Sequence, residues 1–429
     1  MPGTSVASSP PLPAATRAFP AYALPAHTLR IFGACALPLV LWFSAGRAVR
    51  AALMWTATEV AHGDHRQVRL IVTMMIFVLI VLTELVVAVG MLRAVRGTLR
   101  EIRVRRAENE ADEGMFGALE RVTLLFATVY LAWGFHEEDA RELVALDTMK
   151  WLDHDLKGAF AGIRGEAGIL LAGLDLWVSA AIAAVAYALR TLFGLWHAGG
   201  RGRGSGLLAA LAELAFAFYG LNMVFALTSW LSQWLADRVA AATAEEWLEQ
   251  ADRVVPGFKA FREGFAQLCT LAADALVAPL AWLAIAALVY GAFATDTGTA
   301  LRGTRLEAVT GRMDHAHKLT RGTATVTMLG FRERWLSILN AFRLVAHGGA
   351  VLSGMFCLCH VALRAGAAYA DRGVRTLVGS DFPHFWLLFG GSLDFVRDLA
   401  VGVLTVCLLA ATFDIAATRG REAGKAVTA

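Results

Sequence analysis

The sequence predicts an all-α integral membrane protein with about eight transmembrane helices arranged as tandem helical hairpins. Hydrophobic residues make up 57% of the 429 residues and charged residues only 17%, with a mean hydropathy of +0.55. A soluble chain of this length is rarely so apolar. The apolar residues fall in runs of ~20, which span a ~30 Å hydrocarbon core. Several of these runs contain a single acid, which is costly within a membrane.

Eight apolar segments are the predicted spans. The first is short and contains Pro38, and the fourth carries Asp175 near its middle. The spans form one transmembrane domain, 30–418, preceded by a disordered cytoplasmic tail, 1–29, and followed by a second tail, 419–429. The tail at 1–29 is rich in Pro, Ala and Ser and lacks an apolar signal-peptide core. The predicted spans are 31–45, 70–92, 122–135, 168–189, 206–236, 264–294, 344–369 and 385–417.

The distribution of basic residues predicts the orientation. Lys and Arg are in excess in the segments that are cytoplasmic when the N-terminus is inside. We therefore expect a multi-pass protein with both termini in the cytoplasm. Arg greatly outnumbers Lys and Ala is abundant, a bias often seen in high-GC bacterial genomes, so we expect the membrane to be a bacterial inner membrane. The loop after the first span disagrees, since it holds Arg47, Arg50, Arg66 and Arg69 but few acids.

Two predicted outer loops, between spans three and four and between spans five and six, are acidic and amphipathic. In the first loop Leu143 and Leu146 recur at helical spacing among acids such as Glu137 and Glu138. In the second, Thr243 and Glu246 have the spacing of a capping box. We expect each loop to form a short helix at the outer membrane surface.

An internal repeat of one hairpin is the next prediction, with copies at roughly 30–93, 115–190, 206–295 and 343–418. All copies enter the membrane in the same sense, so any pseudo-symmetry axis follows the membrane normal. The alternative is chance alignment of helices rich in Ala and Gly. At one offset, five positions match: Gly158, Ala161, Gly165, Ala167 and Asp175 with Gly257, Ala260, Gly264, Ala266 and Asp274.

The candidate functional residues are the acids inside the predicted spans. Asp175, Asp274 and Asp394 each lie some ten residues into an inbound helix, which is roughly 15 Å deep at ~1.5 Å per residue. With Glu213, they are candidates to bind cations or relay protons. The alternative is that each acid pairs with a base and locks two helices together. Arg364 is one available base, and Arg397 is spaced to pair with Asp394 along the same helix.

No metal or cofactor is predicted. Cys357, Cys359 and His360 are soft ligands in span seven, with His347 earlier in the same span. Buried thiols and a hydrogen-bonded histidine explain this pattern better, because no second span supplies partner ligands. No nucleotide-binding or hydrolase motif occurs, which disfavours an enzyme, and the scattered bases disfavour nucleic-acid binding.

Two functions remain. The first is a transport protein, either an ion channel or an ion- or proton-coupled transporter that uses the intramembrane carboxylates. It predicts that Asp175→Asn and Asp274→Asn abolish ion flux in liposomes. The alternative is a non-catalytic membrane scaffold or subunit that holds a partner through its acidic outer-loop helices. Besides the lipid bilayer, the compatible partners are a second copy of the chain or another membrane protein.

Overall fold

The computed structural model describes residues 19–61, 66–108, 114–133, 135–160, 176–198, 205–236, 254, 258–290, 349–379 and 383–428. Every regular element in these ranges is helical, as predicted. Asp175 and the capping-box pair Thr243 and Glu246 lie outside the described residues.

The helices are numbered here in chain order. A short 3₁₀ turn, Ala21–Ala23, precedes the first helix, and a π-helical turn, Ala273–Val277, joins α8 to α9. The helices are α1 (Leu24–Val60), α2 (Arg66–Val95), α3 (Arg100–Ala107), α4 (Met115–Ala132), α5 (Phe135–Phe160), α6 (Leu176–Ala198), α7 (Ser205–Ala236), α8 (Phe258–Ala272), α9 (Ala278–Val289), α10 (Ala350–Val378) and α11 (Pro383–Thr428).

Six helical segments of the described chain are long and apolar enough to cross a bilayer. A protein with several such helices is expected to contact lipid. Helix α7 contributes a shorter apolar stretch, Gly206–Leu221. The six segments are Ala21–Val60, Gln67–Thr98, Trp177–Gly194, Phe258–Val289, Ala350–Val378 and Phe389–Arg421.

Several helices extend beyond the apolar runs that predict them. Helix α1 begins at Leu24, within the segment predicted as a tail, and continues through Pro38 to Val60. Proline removes one backbone hydrogen bond, but packing of α1 along both α2 and α11 keeps the helix continuous. Helix α11 likewise runs through the predicted second tail to Thr428. Hydrophobicity locates the membrane-length part of such a helix, whereas its ends depend on contacts beyond that part.

The core lies where α2 passes between α1, α4, α7 and α11. Leu85 and Val89 of α2 and Leu408 of α11 are fully or almost fully buried there. Helix α4 has α7 and α9 as its main neighbours, α6 packs along α7, and α10 packs along α11. The first and last predicted hairpins are thus adjacent helix pairs, while the fourfold hairpin repeat stays a prediction.

Glycines allow α1 and α2 to approach closely. A Cβ on Gly46 would lie 2.4 Å from Val87 Cγ2, and one on Gly90 would lie 2.8 Å from the Trp42 ring. Small residues at helix interfaces are a common feature of membrane proteins, where close packing drives association.

We expect Gly46→Ala to destabilise the protein by about 1–3 kcal/mol, the usual cost of overpacking. Val87 has a stiff, β-branched side chain and yields little. Gly33→Ala is the matched control, because a Cβ at that position of the same helix would meet no neighbouring side chain or helix of the described residues within 4 Å. Denaturant unfolding in detergent measures both variants. Equal stability of the two would contradict this packing.

Candidate functional site: a charged cavity between two ionic networks

The candidate site is a partly open cavity of about 620 Å³, called here the central cavity. Residues of α1, α2, α4, α5, α9, α10 and α11 line it. This volume is within the range of small-molecule sites, ~300–1,000 Å³. Its deep wall is apolar and includes Met91 and Leu92 of α2, Phe126 of α4, and Val406 and Leu409 of α11.

One end of the central cavity is charged, and this set of residues is called the charged rim. The rim holds both signs, in contrast to the apolar deep wall. On both α2 and α11, the charged lining residues come before the apolar lining residues along the helix. The charged residues of these two helices therefore lie at the same end of the cavity. The rim residues are Glu84, Arg364, Asp371, Arg372, Arg397 and Asp398.

Helix α10 contributes a polar stripe to the cavity. His360, Arg364 and Asp371 line it together with Ala367 and Ala368, and this spacing follows one face of a helix. His360 Nδ1 and Asp371 Oδ1 are buried without a hydrogen-bond partner among the described residues. The second oxygen of Asp371 accepts from Arg375 Nε at 2.9 Å. Buried polar atoms are usually paired, so the stripe retains unused bonding capacity.

The Arg50 network lies beside the charged rim and joins four helices. Arg50 of α1 contacts Asp139 at 2.6 Å and Glu84 at 3.8 Å, and it also donates to Glu142. The Tyr130 hydroxyl of α4 donates to Asp139. Arg50 is 11% exposed and Asp139 5%, so these charges are buried and depend on each other. Glu84 belongs to both the network and the cavity wall.

The Asp414 network lies toward the other end of α1, the helix that it shares with the Arg50 network. Asp414 of α11 contacts His27 of α1 at 3.1 Å and accepts the backbone N–H of Glu101 at 2.9 Å. Glu101 Oε1 accepts from Arg421 at 2.8 Å, and Arg421 also bonds Glu108. The network therefore holds α1, α3 and α11 together.

The charged residues at the rim end lie about one membrane thickness from the Asp414 network. At ~1.5 Å rise per residue, Arg47 lies ~30 Å from His27 along α1, and Asp398 lies ~24 Å from Asp414 along α11. Arg47 and Asp398 contact each other at 3.7 Å at the rim end. A hydrocarbon core is ~30 Å thick, so the charges concentrate where two polar interfaces would lie.

Three of the four acids predicted from sequence, Glu213, Asp274 and Asp394, are not among the residues that line the central cavity. Glu213 of α7 is buried and contacts Arg190 of α6 at 3.2 Å, which is the geometry of a lock between two helices. Asp394 contacts Arg397 at 3.1 Å and Arg375 at 3.4 Å. Asp274 is exposed in the π-helical turn, and Asp175 lies outside the described residues.

The two candidate charge partners, Arg364 and Arg397, both line the central cavity. Arg397 is engaged by Asp398 at 3.0 Å as well as by Asp394. Arg364 is exposed and forms no ion pair with the described residues. Of these two rim arginines, Arg397 is therefore fixed by acids and Arg364 is available to a ligand.

Sequence reasoning missed the Arg50 network. Arg50 was assigned to an outer loop, but it lies within α1. Glu84 lies in the second predicted span, 70–92, and is not one of the four acids predicted as cation or proton sites. The available signal was the excess of bases in the loop after the first span, which conflicted with the predicted orientation. A base that disagrees with topology rules is a candidate for burial in an ion pair.

In the part of the chain that the structure describes, no group of three or more His, Cys, Asp or Glu side chains fits a metal ion. Cys357 and His360 are buried in α10, and Cys359 is half-buried. The His360 ring is tilted relative to the Phe356 ring, with centroids 6.2 Å apart. What the site offers is therefore binding by charge, hydrogen bonds and apolar contact.

No family model matches the chain, and no curated protein or solved structure matches it either.

Proposed function

We propose that this chain is a polytopic transport protein of a cell membrane, an ion- or proton-coupled transporter whose substrate site is the central cavity. The observation that carries the proposal is a cavity of about 620 Å³ between membrane-length helices, with apolar walls and a charged rim. Charged groups inside such a bundle are costly, and they commonly mark a solute or ion pathway.

A transporter fits this arrangement better than an open channel. The Arg50 network ties α5 beside one end of the central cavity, and the Asp414 network ties three helices at the other end. Alternating access requires a closed barrier on each side of a binding site. Ion pairs are suitable barriers because they form and separate as discrete states.

The proposed topology places the Asp414 network at the cytoplasmic interface and the Arg50 network at the outer interface. Helix α3, beside the Asp414 network, carries Arg100, Arg103, Arg105 and Arg106, as the positive-inside rule expects. Helix α5, beside the Arg50 network, is acidic in its first turn. With α4 and α7 as further spans, the chain crosses the membrane eight times and both termini are cytoplasmic.

Glu84 is the proposed coupling carboxylate. It faces the cavity and contacts Arg50, so protonation would remove one of the charges that hold Arg50. Loss of that contact would loosen the barrier and link proton binding to opening of the cavity. Asp175, Asp274, Glu213 and Asp394 remain further candidates along the inbound helices and α7.

Proton flux in liposomes tests this function. We expect the reconstituted protein to speed the decay of a pH gradient, reported by an entrapped dye, and Glu84→Gln to return the rate to that of protein-free liposomes. Glu137→Gln is the control, because Glu137 is an exposed acid of α5 that pairs only with exposed Arg141 among the described residues. It should keep the parent rate.

The same assay separates two possible paths. If Asp175→Asn or Asp274→Asn abolishes flux while Glu84→Gln does not, the path follows the inbound helices instead of the central cavity. If parent and protein-free liposomes behave alike at every pH gradient and membrane potential, the transport proposal fails.

The alternative function, a scaffold that holds a partner protein, is favoured by one observation. Helix α5 exposes the apolar side chains Leu146 and Met149, at 43% and 65%, among its acids. A helix that exposes apolar side chains among acids can lie on a membrane surface or against a partner. A stoichiometric partner that is released when Leu146 and Met149 are both changed to Ser would support the scaffold.

A further inference from the structure

We infer that the ligand of the central cavity is a zwitterionic amphiphile with a primary ammonium group, an anionic group and an apolar chain, of the phosphoethanolamine lipid class. This inference rests on the proposed function only in treating the cavity as a substrate site. It specifies the ligand, which the transport proposal leaves open.

The charges of the rim argue for a zwitterion. The formal charges of its three acids and three arginines sum to zero, so a simple cation or anion gains little net attraction. A ligand that carries both charges can satisfy both signs at once. Electrostatic complementarity of this kind provides specificity for the ligand and its orientation.

The available bonding groups on α10 assign the two charges. Arg364 is exposed, lines the cavity and has no ion pair among the described residues, so it suits the anionic group; guanidinium binds phosphate oxygens in a bidentate manner. Asp371 Oδ1 is a buried acceptor that lacks a donor. A primary ammonium supplies N–H donors, whereas a quaternary ammonium has none.

The spacing of these groups argues for charges separated by several bonds. Arg364 and Asp371 are ~10 Å apart along α10 at ~1.5 Å per residue. In an α-amino acid the ammonium and carboxylate are attached to one carbon, which makes simultaneous contact with both residues difficult. A phosphoethanolamine group separates its charges by an ethylene unit and a phosphate ester oxygen, and so it reaches further.

The apolar wall argues for a chain attached to that zwitterion. Beyond the charged rim, the cavity is lined by Met91, Leu92, Val406 and Leu409. Phe126 and Trp282 pack edge to face at 5.7 Å and add aromatic surface. Burying a methylene group contributes about 0.8 kcal/mol, so an acyl chain along this wall would supply much of the affinity. The Ala367 and Ala368 positions leave room between the headgroup contacts.

Binding to the protein in phosphatidylcholine nanodiscs tests the inference. We expect saturable binding of fluorescent lysophosphatidylethanolamine that is at least about tenfold tighter than binding of the matching lysophosphatidylcholine, since one charge-assisted hydrogen bond is worth 1.4 kcal/mol or more. Arg364→Gln and Asp371→Asn should each weaken it by about tenfold or more. Arg141→Gln, at an exposed position of α5, should leave binding unchanged.

A second measurement compares the parent chain with Trp282→Phe and does not depend on the folding of charge variants. A lysophosphatidylethanolamine brominated near the end of its chain should quench tryptophan fluorescence, and Trp282→Phe should remove most of that quenching. Equal affinity for the two lysolipids, or quenching that persists in Trp282→Phe, would overturn the inference. Tighter binding of leucine than of either lysolipid would also overturn it and would assign a small amino acid instead.

The two proposals fail separately. Selective lysolipid binding without any solute or proton flux would retain this inference and remove the transport function. Proton flux that depends on Glu84, without selective binding of the ethanolamine lipid, would retain the transport function and remove the inference.

Discussion

Arg50→Met is expected to lower the free energy of unfolding by about 3–5 kcal/mol, the usual result of removing one partner from a buried ion pair. Among the described residues, Arg50 contacts three acids of two other helices, Glu84, Asp139 and Glu142. Methionine keeps much of the side-chain volume but leaves Asp139 as an uncompensated buried charge. Denaturant unfolding of the purified protein in detergent measures the change.

The matched control is Arg141→Met. Arg141 and its partner Glu137 are 73% and 61% exposed, and an exposed pair on one helix contributes ~0.3–0.5 kcal/mol. Adding Asp139→Asn to Arg50→Met should restore part of the stability, because a neutral amide is less costly to bury than an unpaired carboxylate. Equal losses for Arg50→Met and Arg141→Met would show that Arg50 is not buried among these acids.

The Arg50 network shows which features of this protein the sequence predicts and which depend on packing. Hydrophobic runs predicted the helical class and the approximate position of each long helix, because burial in lipid or in the core requires the same apolar residues. Helical spacing also brought Arg397 near Asp394, which is a contact within one helix. Contacts such as Arg50 with Asp139 join residues distant in the chain, and they depend on how α1 and α5 pack.

Helix packing also decides which of the acids inside the apolar runs faces the cavity. A single carboxylate in an apolar run has the same sequence signature whether it faces a cavity or a neighbouring base. Glu213 faces Arg190, whereas Glu84 faces both Arg50 and the cavity. Only the relative rotation of packed helices separates these two outcomes, and that rotation follows from the complete set of interhelical contacts, including the close approach at Gly46 and Gly90.

The sequence indicates part of the polar stripe on α10. His360 and Arg364 are one helical turn apart and fall on one face. From the sequence, however, His360 is considered together with Cys357 and Cys359 as a set of soft metal ligands. In the structure His360 and Arg364 line the cavity, while Cys357 and Cys359 are absent from its lining. A helical face indicates which residues act together, and packing decides what they face.

The second large effect is expected at Asp414, where Asp414→Ala should destabilise the protein by about 2–5 kcal/mol. The Asp414 carboxylate is 1% exposed and bonds the backbone N–H of Glu101 and the ring of His27. The Glu101 N–H belongs to the first turn of α3, where backbone donors have no partner within the helix. Alanine would leave this donor and the His27 ring nitrogen buried and unpaired, each at ~1–3 kcal/mol.

Two comparisons isolate the role of Asp414. Asp414→Asn keeps an oxygen acceptor for Glu101, so it should lose less stability than Asp414→Ala. Glu108→Ala removes an acid that is 41% exposed and bonds Arg421, and it should cost no more than ~1 kcal/mol. Hydrogen exchange adds a local measurement, since Asp414→Ala should speed exchange of the Glu101 amide selectively. If Glu101 stays protected while stability falls, Asp414 acts through packing of α11 and does not anchor α3. Faster exchange of the Glu101 amide in Asp414→Ala, together with a smaller loss of stability in Asp414→Asn, would establish that the buried Asp414 carboxylate holds the start of α3 against α1 and α11.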